Sequence, residues 1–176
     1  MTEVILVDIF DNFIGVEEKL KAHMDKHLHR AFSLFVIDCN GNMLLQRRSK
    51  AKYHSPGLWA NACCSHPLPD KDIIECVRER AHEELGIKID VPSEMFNFVY
   101  YSEFNNGLTE YELDHVYIVN YTGDINFNPN EVDSVEWVNI DDLSKNLVSN
   151  PQKYCTWFLN CCPKVIEILN KKCNKL

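Results

Sequence analysis

The chain has 176 residues, 45% of them hydrophobic, and a formal net charge of −8. This charge argues against a general nucleic-acid binder, whose affinity depends on basic patches, and no apolar run reaches the roughly 18 residues of a membrane span. Because no secretory signal is visible, we expect a cytoplasmic protein whose eight cysteines serve as thiols, metal ligands or catalytic groups rather than as disulfides.

The first third of the chain predicts strands, because short apolar runs alternate there with turn-prone residues. Asn40-Gly41 is the strongest hairpin signal in the sequence and predicts a strand on either side of it. Residues 17–29 are polar and predict a short helix or a loop. The predicted strands are residues 4–10, 31–38, 43–47 and 58–64.

One amphipathic helix follows. Asp70 or Asp72 is its predicted start and Gly86 its predicted end, because these residue types cap the two ends of helices. Apolar side chains recur at helical spacing between these caps and are expected to face the core. They are Ile73, Ile74, Val77, Ala81 and Leu85.

The last part of the chain predicts further strands and then two helices, so the fold class is α+β. A turn is predicted at residues 105–107, and Pro163 lies where it could split the final helix. The predicted strands are residues 95–102, 110–121 and 136–138, and the predicted helices are residues 141–148 and 151–172.

The most informative segment is residues 61–67, which read Asn-Ala-Cys-Cys-Ser-His-Pro. Cys63 and Cys64 would point to opposite faces of a strand, so only one of them can face a site. A thiol with a pKa of about 8.5 is suited to acid–base chemistry near neutrality. Two alternatives are a thiol that packs as a small hydrophobe and a structural zinc site that includes His66, although this spacing is unusual for zinc.

Histidines and paired carboxylates add metal-binding groups. His23, His27 and His29 are close in sequence and, together with carboxylates, would suit Mn²⁺, Zn²⁺ or Mg²⁺. Glu110 and Glu112 would share one face of a strand, where such a pair can bind a cation or hold a proton. The alternatives are ordinary surface or core histidines and a solvent-facing strand edge.

Residues 83–87, Glu-Glu-Leu-Gly-Ile, resemble the end of the Nudix box, a helix that collects carboxylates for a divalent metal and a diphosphate. The rest of that box is altered. Ser65 stands at its leading glycine, Lys71 at its first glutamate, and Glu79-Arg80 at its Arg-Glu pair. A hydrolase of the standard type would lose metal ligands through these changes, and the glutamates could equally be a solvated helix end.

Cations in four separate segments lie near these motifs. Diphosphate recognition needs several such donors, although each one taken alone reads as ordinary surface. They are Lys19, Arg48, Lys52 and Arg80.

Together these segments resemble type I isopentenyl-diphosphate isomerases, Nudix-superfamily enzymes that interconvert isopentenyl and dimethylallyl diphosphate. Residues 19–33, 47–67 and 110–114 carry the resemblance, which covers nearly the whole chain. It implies a Nudix-like α/β/α sandwich with a mixed central sheet, formed by residues 1–176 as one domain. It also implies a small allylic or homoallylic diphosphate as substrate, no nucleic-acid or membrane partner, and a monomer or weak homodimer.

The resemblance further implies two divalent cations and a diphosphate pocket. Glu84 matches the residue that helps to hold a Mg²⁺ bridging to the diphosphate, and the four cations match positions around it. The other ion is Mg²⁺, Mn²⁺ or Zn²⁺, since nitrogen ligands favour the softer metals. The residues matched to that ion are His23, His29, His66, Glu110 and Glu112.

For catalysis, the resemblance matches Cys64 and Glu112 to acid–base groups on opposite sides of the substrate. Moving the double bond requires one carbon to gain a proton and another to lose one, through a tertiary carbocation that a dry site protects. We expect Glu112 to deliver the first proton and Cys64 to act as the base at C2. Trp157 matches a tryptophan that covers the pocket, and Tyr100 an active-site tyrosine, with Tyr101 as the alternative.

Two rival functions share part of this pattern. A Nudix hydrolase would use the metal and anion site but would not need Cys64. A non-catalytic metal-binding domain would explain the histidines but neither the cations nor the paired acids.

Overall fold

The structure is a computed structural model that describes residues 3–52, 55–104 and 107–173. These residues form one mixed sheet of nine strands, four α-helices and a 3₁₀ turn at Pro151–Lys153. The strands are β1 (Glu3–Val7), β2 (Phe13–Glu18), β3 (His29–Ile37), β4 (Asn42–Arg48), β5 (Trp59–Ala60), β6 (Cys63–Ser65), β7 (Ser93–Glu103), β8 (Thr109–Asn120) and β9 (Val132–Asn139). The helices are α1 (Lys19–Asp25), α2 (Ile73–Leu85), α3 (Ile140–Ser149) and α4 (Thr156–Cys173).

Strand β3 is the central strand of the sheet and pairs with four others. It pairs antiparallel with β1, β4 and β6, and parallel with β8 along its whole length. The parallel register places His29 opposite Glu112, so two candidate site residues are neighbours across strands that are far apart in sequence. Strand β7 extends the sheet beyond β8, and β9 pairs with β4.

Helices cover both faces of this sheet. Phe35 and Ile37 of β3 pack in a cluster with α3 and α4, whereas Leu34 and Val36 pack in a cluster with α2. This alternation is the two-residue period of a strand buried on both faces. The predicted α/β/α sandwich is confirmed, and no helix in the described ranges is long and apolar enough to cross a membrane.

Helix α2 has the predicted caps. The Asp72 carboxylate accepts hydrogen bonds from the backbone N–H groups of Ile74 and Glu75, so the start is Asp72 rather than Asp70. Gly86 ends the helix with φ 68°, in the left-handed region that favours glycine. A side chain at Gly86 would also collide with the Asn126 carbonyl, so both the backbone conformation and the lack of space require glycine here.

Some element predictions were wrong. Residues 58–64 form two short strands, β5 and β6, because the Asn61 side chain makes hydrogen bonds to backbone carbonyls at the break between them. Strand β2 was not predicted, since its side chains are largely exposed and lack the alternation that marks a strand. The final helix begins at Thr156, after the 3₁₀ turn.

Pro163 lies within α4 and does not split it, because buried side chains on both sides of the proline hold the helix against the core. The turn predicted at residues 105–107 includes positions 105 and 106, which lie outside the described residues. Strands β7 and β8 pair antiparallel on either side of it, in agreement with two adjacent strands.

Candidate active site

A single cavity is lined by nearly all the candidate residues. His29 and Glu84 do not line it, but His29 contacts His66 and Glu84 pairs with Arg80, and both of these partners do. The other lining residues are Ala31, Phe32, Ser33, Ser65 and Asp114. The candidates that line it are Lys19, His23, Arg48, Lys52, Cys64, His66, Arg80, Tyr100, Glu110, Glu112 and Trp157.

Three histidines and one glutamate meet at one end of the cavity. One ligand atom from each of His23, His29, His66 and Glu112 can be chosen so that all lie within 4.8 Å of one another. His66 Nε2 is 2.9 Å from Glu112 Oε1 and 3.2 Å from His29 Nε2. These residues come from α1, β3, the end of β6 and β8, so the sheet register assembles the group.

Backbone carbonyls set the orientation of two of these imidazoles. His23 Nδ1 is 2.8 Å from the carbonyl of Thr109, and His29 Nδ1 is 2.8 Å from that of His27. A carbonyl only accepts, so each Nδ1 carries hydrogen and each Nε2 presents its lone pair, as metal-binding histidines do. Burial lowers the pKa of His23, and burial lowers the pKa of His66 to about 3, which keeps both rings in the neutral, ligating form.

This group fits a divalent cation. Three imidazoles and one carboxylate are an ordinary donor set for Zn²⁺ or Mn²⁺, and their ligand atoms are already gathered within 4.8 Å of one another. The proton that now joins His66 and Glu112 would be exchanged for the cation. Glu110 is not in this group, and its place among the metal ligands stays a prediction.

Tyr100 links the two carboxylates of β8. Its hydroxyl is 2.5 Å from Glu112 Oε2 and 3.1 Å from Glu110 Oε2, in a pairing set by the register of Tyr100 opposite Glu112. Tyr101 points the other way, is half exposed and donates to Glu103. Tyr100 is therefore the tyrosine that the fold brings to the cavity.

The two carboxylates differ in charge. Burial raises the pKa of Glu110, and the neighbouring Glu112 charge raises it further. Burial also opposes ionisation of Glu112, but the neighbouring imidazoles of His29 and His66 outweigh it and hold the pKa of that carboxyl well below its usual range. The surroundings therefore favour the protonated form of Glu110 next to an ionised Glu112.

Cys64 is the cysteine that faces the cavity. It is half-buried, whereas Cys63 is fully buried among residues that pack on α2, which confirms that the two thiols point to opposite faces. Burial raises the pKa of the Cys64 thiol, and the Arg48 charge only partly opposes this shift. The thiol is therefore protonated at neutral pH. Cys155, Cys161 and Cys162 pack in the core.

Trp157 lies beside Arg48. The guanidinium carbon of Arg48 is 5.0 Å from the centre of the indole ring, and the indole nitrogen donates to Asn61 Oδ1 at 3.2 Å. A guanidinium at this distance is within the range of cation–π attraction. Trp157, which is predicted to cover the pocket, therefore lies next to Arg48, which is predicted to bind the diphosphate.

Two of the other cations, Arg80 and Lys52, are paired with carboxylates. Arg80 Nη2 is 2.5 Å from Glu84 Oε1 and 2.7 Å from Glu131 Oε2. Lys52 pairs with the same oxygen of Glu131. Burial would lower the pKa of Arg80, but the charges of Glu84 and Glu131 raise it instead.

Glu84 is nearly fully buried and separate from the histidines. Its Oε1 is held by Arg80, and its Oε2 accepts from Gln46 Nε2 at 2.8 Å. The geometry therefore supports Glu84 as part of the anion-binding side, and its role in holding a second Mg²⁺ stays a prediction.

Sequence reasoning missed three residues of the site. Asp114 continues the alternation of Glu110 and Glu112, so the two-residue period of a strand could have found it. Asn61 stands in the most informative segment but had no assigned role. Glu131 lies in a loop remote in sequence from both cations that it binds, and no local signal marks it.

The sheet flanked by helices, with a cavity of carboxylates, histidines and cations, defines a Nudix domain, and the family described as NUDIX domain matches residues 27–158. A Deinococcus radiodurans protein, DR0079, has a similar crystal structure, with a TM-score of 0.75 at 21% identity, over 92% of this chain and 98% of that one. At this identity the likeness concerns the fold alone.

Two other proteins are more similar to this chain in sequence than DR0079 is. Isopentenyl-diphosphate Delta-isomerase 2 of Aromatoleum aromaticum is 42% identical over 94% of this chain and 87% of its own length. Isopentenyl-diphosphate Delta-isomerase of Pectobacterium atrosepticum is 40% identical over 90% and 88% respectively. The chain belongs to this isomerase family of the Nudix superfamily.

Proposed function

We propose that the protein is an isomerase that interconverts isopentenyl diphosphate and dimethylallyl diphosphate in isoprenoid biosynthesis. The observation that carries this proposal is that Cys64 and Glu112 line one cavity, together with an aromatic ring and a set of cations. A thiol and a carboxylate have to face a common hydrocarbon tail if one adds a proton and the other removes one. The family membership agrees with this activity.

The cations bind the charged end of the substrate. Lys19, Arg48, Lys52 and Arg80 line the same cavity, and guanidinium groups match phosphate oxygens as planar donors. Binding there leaves the five-carbon tail to extend toward Cys64 and the indole of Trp157. Holding the diphosphate in this way converts a proton transfer between separate molecules into one between neighbouring groups.

The chemistry then needs two proton transfers. Addition of a proton at C4 of isopentenyl diphosphate leaves a tertiary cation at C3, and loss of a proton from C2 forms the double bond of dimethylallyl diphosphate. The flat face of Trp157 can stabilise the cation by about 2 kcal/mol when water is excluded. Cys64 and Glu112 are the proposed acid–base pair.

The order of these transfers, with Glu112 as the first acid and Cys64 as the base, stays a prediction. In the ligand-free protein the proton is on Cys64 and Glu112 is ionised, which is the reverse of the state that this order requires. A group that can supply a proton to Glu112 nevertheless lies next to it. The surroundings favour the protonated form of Glu110, and the hydroxyl of Tyr100 contacts both carboxylates, so it can receive one proton while donating another.

Mg²⁺ is the proposed cofactor, with Mn²⁺ or Zn²⁺ as alternatives at the group formed by His23, His29, His66 and Glu112. A cation held there would supply positive charge that makes a neighbouring carboxyl group more acidic. The predicted second Mg²⁺ would bind with the diphosphate beside Glu84, in competition with Arg80.

We also propose that residues 1–176 act as one domain, as a monomer or weak homodimer in the cytoplasm. The nine strands of the described residues belong to one sheet, which supports the single domain. The seven cysteines whose side chains the structure describes, Cys39, Cys63, Cys64, Cys76, Cys155, Cys161 and Cys162, are free, which suits a reducing compartment.

The direct test is incubation with isopentenyl diphosphate and Mg²⁺ in D₂O. Formation of dimethylallyl diphosphate with deuterium incorporated from solvent supports the proposal. Release of inorganic phosphate without isomerisation would instead identify a hydrolase. Metal binding with no change in the diphosphate would identify a non-catalytic domain, and either of these outcomes overturns the proposal.

A further inference from the structure

Asn61 is a fully buried polar residue at the break between β5 and β6. Its Nδ2 donates to the carbonyl of Cys63 at 2.8 Å and to that of Leu34 at 3.2 Å. Its Oδ1 accepts from the indole nitrogen of Trp157 at 3.2 Å. One side chain therefore connects the strand that carries the candidate thiol, the central strand β3 and helix α4.

These contacts determine which way the amide points. Both carbonyls can only accept, so they require the NH₂ group of Asn61 on their side. The amide oxygen must then face Trp157, whose indole N–H can only donate. A flipped amide would place its oxygen against the two carbonyl acceptors and its NH₂ group against the indole donor, which leaves buried polar groups without hydrogen bonds.

The hydrogen bond restricts rotation of the indole ring. Trp157 is 4% exposed and lines the cavity, with Arg48 at 5.0 Å from its ring centre. An aromatic ring attracts a cation at its face and repels it at its edge, because the face is the negative part of the ring quadrupole. The angle of the ring plane therefore decides whether Trp157 stabilises positive charge in the cavity.

We propose that Asn61 is a positioning residue, which rests on the proposed function: it holds the indole plane of Trp157 in the orientation that stabilises the carbocation. It also ties this ring to the segment of Cys63 and Cys64, so the aromatic face and the thiol keep a constant separation. The cation exists only along the reaction path and not in the bound diphosphate. Loss of Asn61 should therefore lower kcat and leave KM nearly unchanged.

The test is a double-mutant cycle with Asn61→Ala and Trp157→Phe, in which phenylalanine keeps an aromatic ring but has no N–H. Asn61→Ala should lower kcat by about 10- to 100-fold, the loss expected from a misplacement of about 1 Å. In the Trp157→Phe background, Asn61→Ala should lower kcat by no more than about threefold, since residues that act through one contact are not additive. KM for isopentenyl diphosphate should stay within about threefold in every variant.

Asn61→Ser provides a second route if the alanine variant does not fold. Its hydroxyl can satisfy a nearby carbonyl but is too short to reach the indole, so the same loss of kcat is expected. Normal kcat in either variant overturns the inference, as do equal losses of kcat in the two backgrounds, which would mean a purely structural role. Absence of isomerase activity in the unaltered protein would overturn the proposed function and the inference with it.

Discussion

The two sides of the cavity are built differently. The histidine side, formed by His23, His29, His66 and Glu112, is held by strand register and by backbone carbonyls, and it is almost completely buried. The cation side, formed by Lys19, Arg48, Lys52 and Arg80, comes from α1, the last residue of β4, a loop and α2, and it is only partly buried.

Their partners differ as well. The histidine side contacts itself, neutral backbone groups and the Tyr100 hydroxyl, whereas Lys52 and Arg80 are neutralised by Glu131 and Glu84. The first arrangement is rigid before any ligand binds. The second has charges that can exchange one anionic partner for another, as a site for a diphosphate requires.

The largest expected effect concerns the thiol between the two sides. Cys64→Ala or Cys64→Ser should reduce turnover by about 10³-fold with the fold intact, because one of the two acid–base groups is lost. Turnover is measured with isopentenyl diphosphate, and folding by thermal denaturation. Cys39→Ala, which changes an exposed thiol, is the matched control and should keep full activity. Normal turnover in a Cys64 variant would contradict the catalytic assignment.

Glu112→Gln should lower kcat by about 10²- to 10⁴-fold, far beyond its effect on substrate binding. Glu110→Gln is the matched comparison, because burial and the Glu112 charge raise the pKa of Glu110 and the neutral amide resembles the protonated acid. Its effect should be much smaller. Equal losses in the two variants would instead indicate that Glu110 acts as an ionised metal ligand.

His66→Ala should weaken Mn²⁺ binding strongly, because it removes a direct ligand of the metal. Loss of a residue that only hydrogen-bonds to a ligand costs about 10- to 100-fold in affinity, and we expect a larger loss here. His82→Ala is the control, since this imidazole is exposed on α2 and is not part of the group. Isothermal titration calorimetry measures both affinities. Unchanged Mn²⁺ affinity in His66→Ala would show that the metal does not bind at the histidine side.

On the cation side, Arg48→Ala should raise KM for the diphosphate by about 10-fold or more, the effect of losing a charged hydrogen bond. Arg47→Ala removes the same charge from the neighbouring residue, which lies outside the cavity lining and pairs with Asp133. Its KM should change little. If the two variants have the same KM, Arg48 acts only through the overall electrostatic field of the protein and not through a direct contact with the diphosphate.

The smallest expected effect tests whether the cation side exchanges partners. Glu131→Gln removes the carboxylate that competes for Lys52 and Arg80, so KM should fall by about two- to fivefold, as expected for partly exposed ion pairs. Glu136→Gln, at an exposed position of β9, makes the same change of charge and should leave KM unaltered. A higher KM in Glu131→Gln would mean that Glu131 positions the cations instead.

Local patterns were enough to predict much of this molecule. The caps of α2 and the shared face of Glu110 and Glu112 depend on residues close in sequence, and the structure has both. The choice between Tyr100 and Tyr101 could not be made, because a shift of one residue in strand register exchanges the two faces. The observed pairing of Tyr100 with Glu112 decides it.

Long-range partners were beyond sequence reasoning. Arg80 binds Glu131 across 51 positions, and Trp157 binds Asn61 across 96. Neither partner has a local period or a motif that indicates the contact, since each depends on how distant elements pack. The roles proposed for Asn61 and Glu131 therefore come from the structure alone.

The parallel pairing of β3 with β8 has a consequence for biosynthesis. Ser33 and Asp114 meet across this pair at a separation of 81 positions, so a ribosome must synthesise β8 before the central strand gains that neighbour. Until then, one edge of an apolar strand is unpaired, and such edges promote aggregation. Nascent chains that stop short of β8 should therefore depend on chaperones in a way that the finished protein does not.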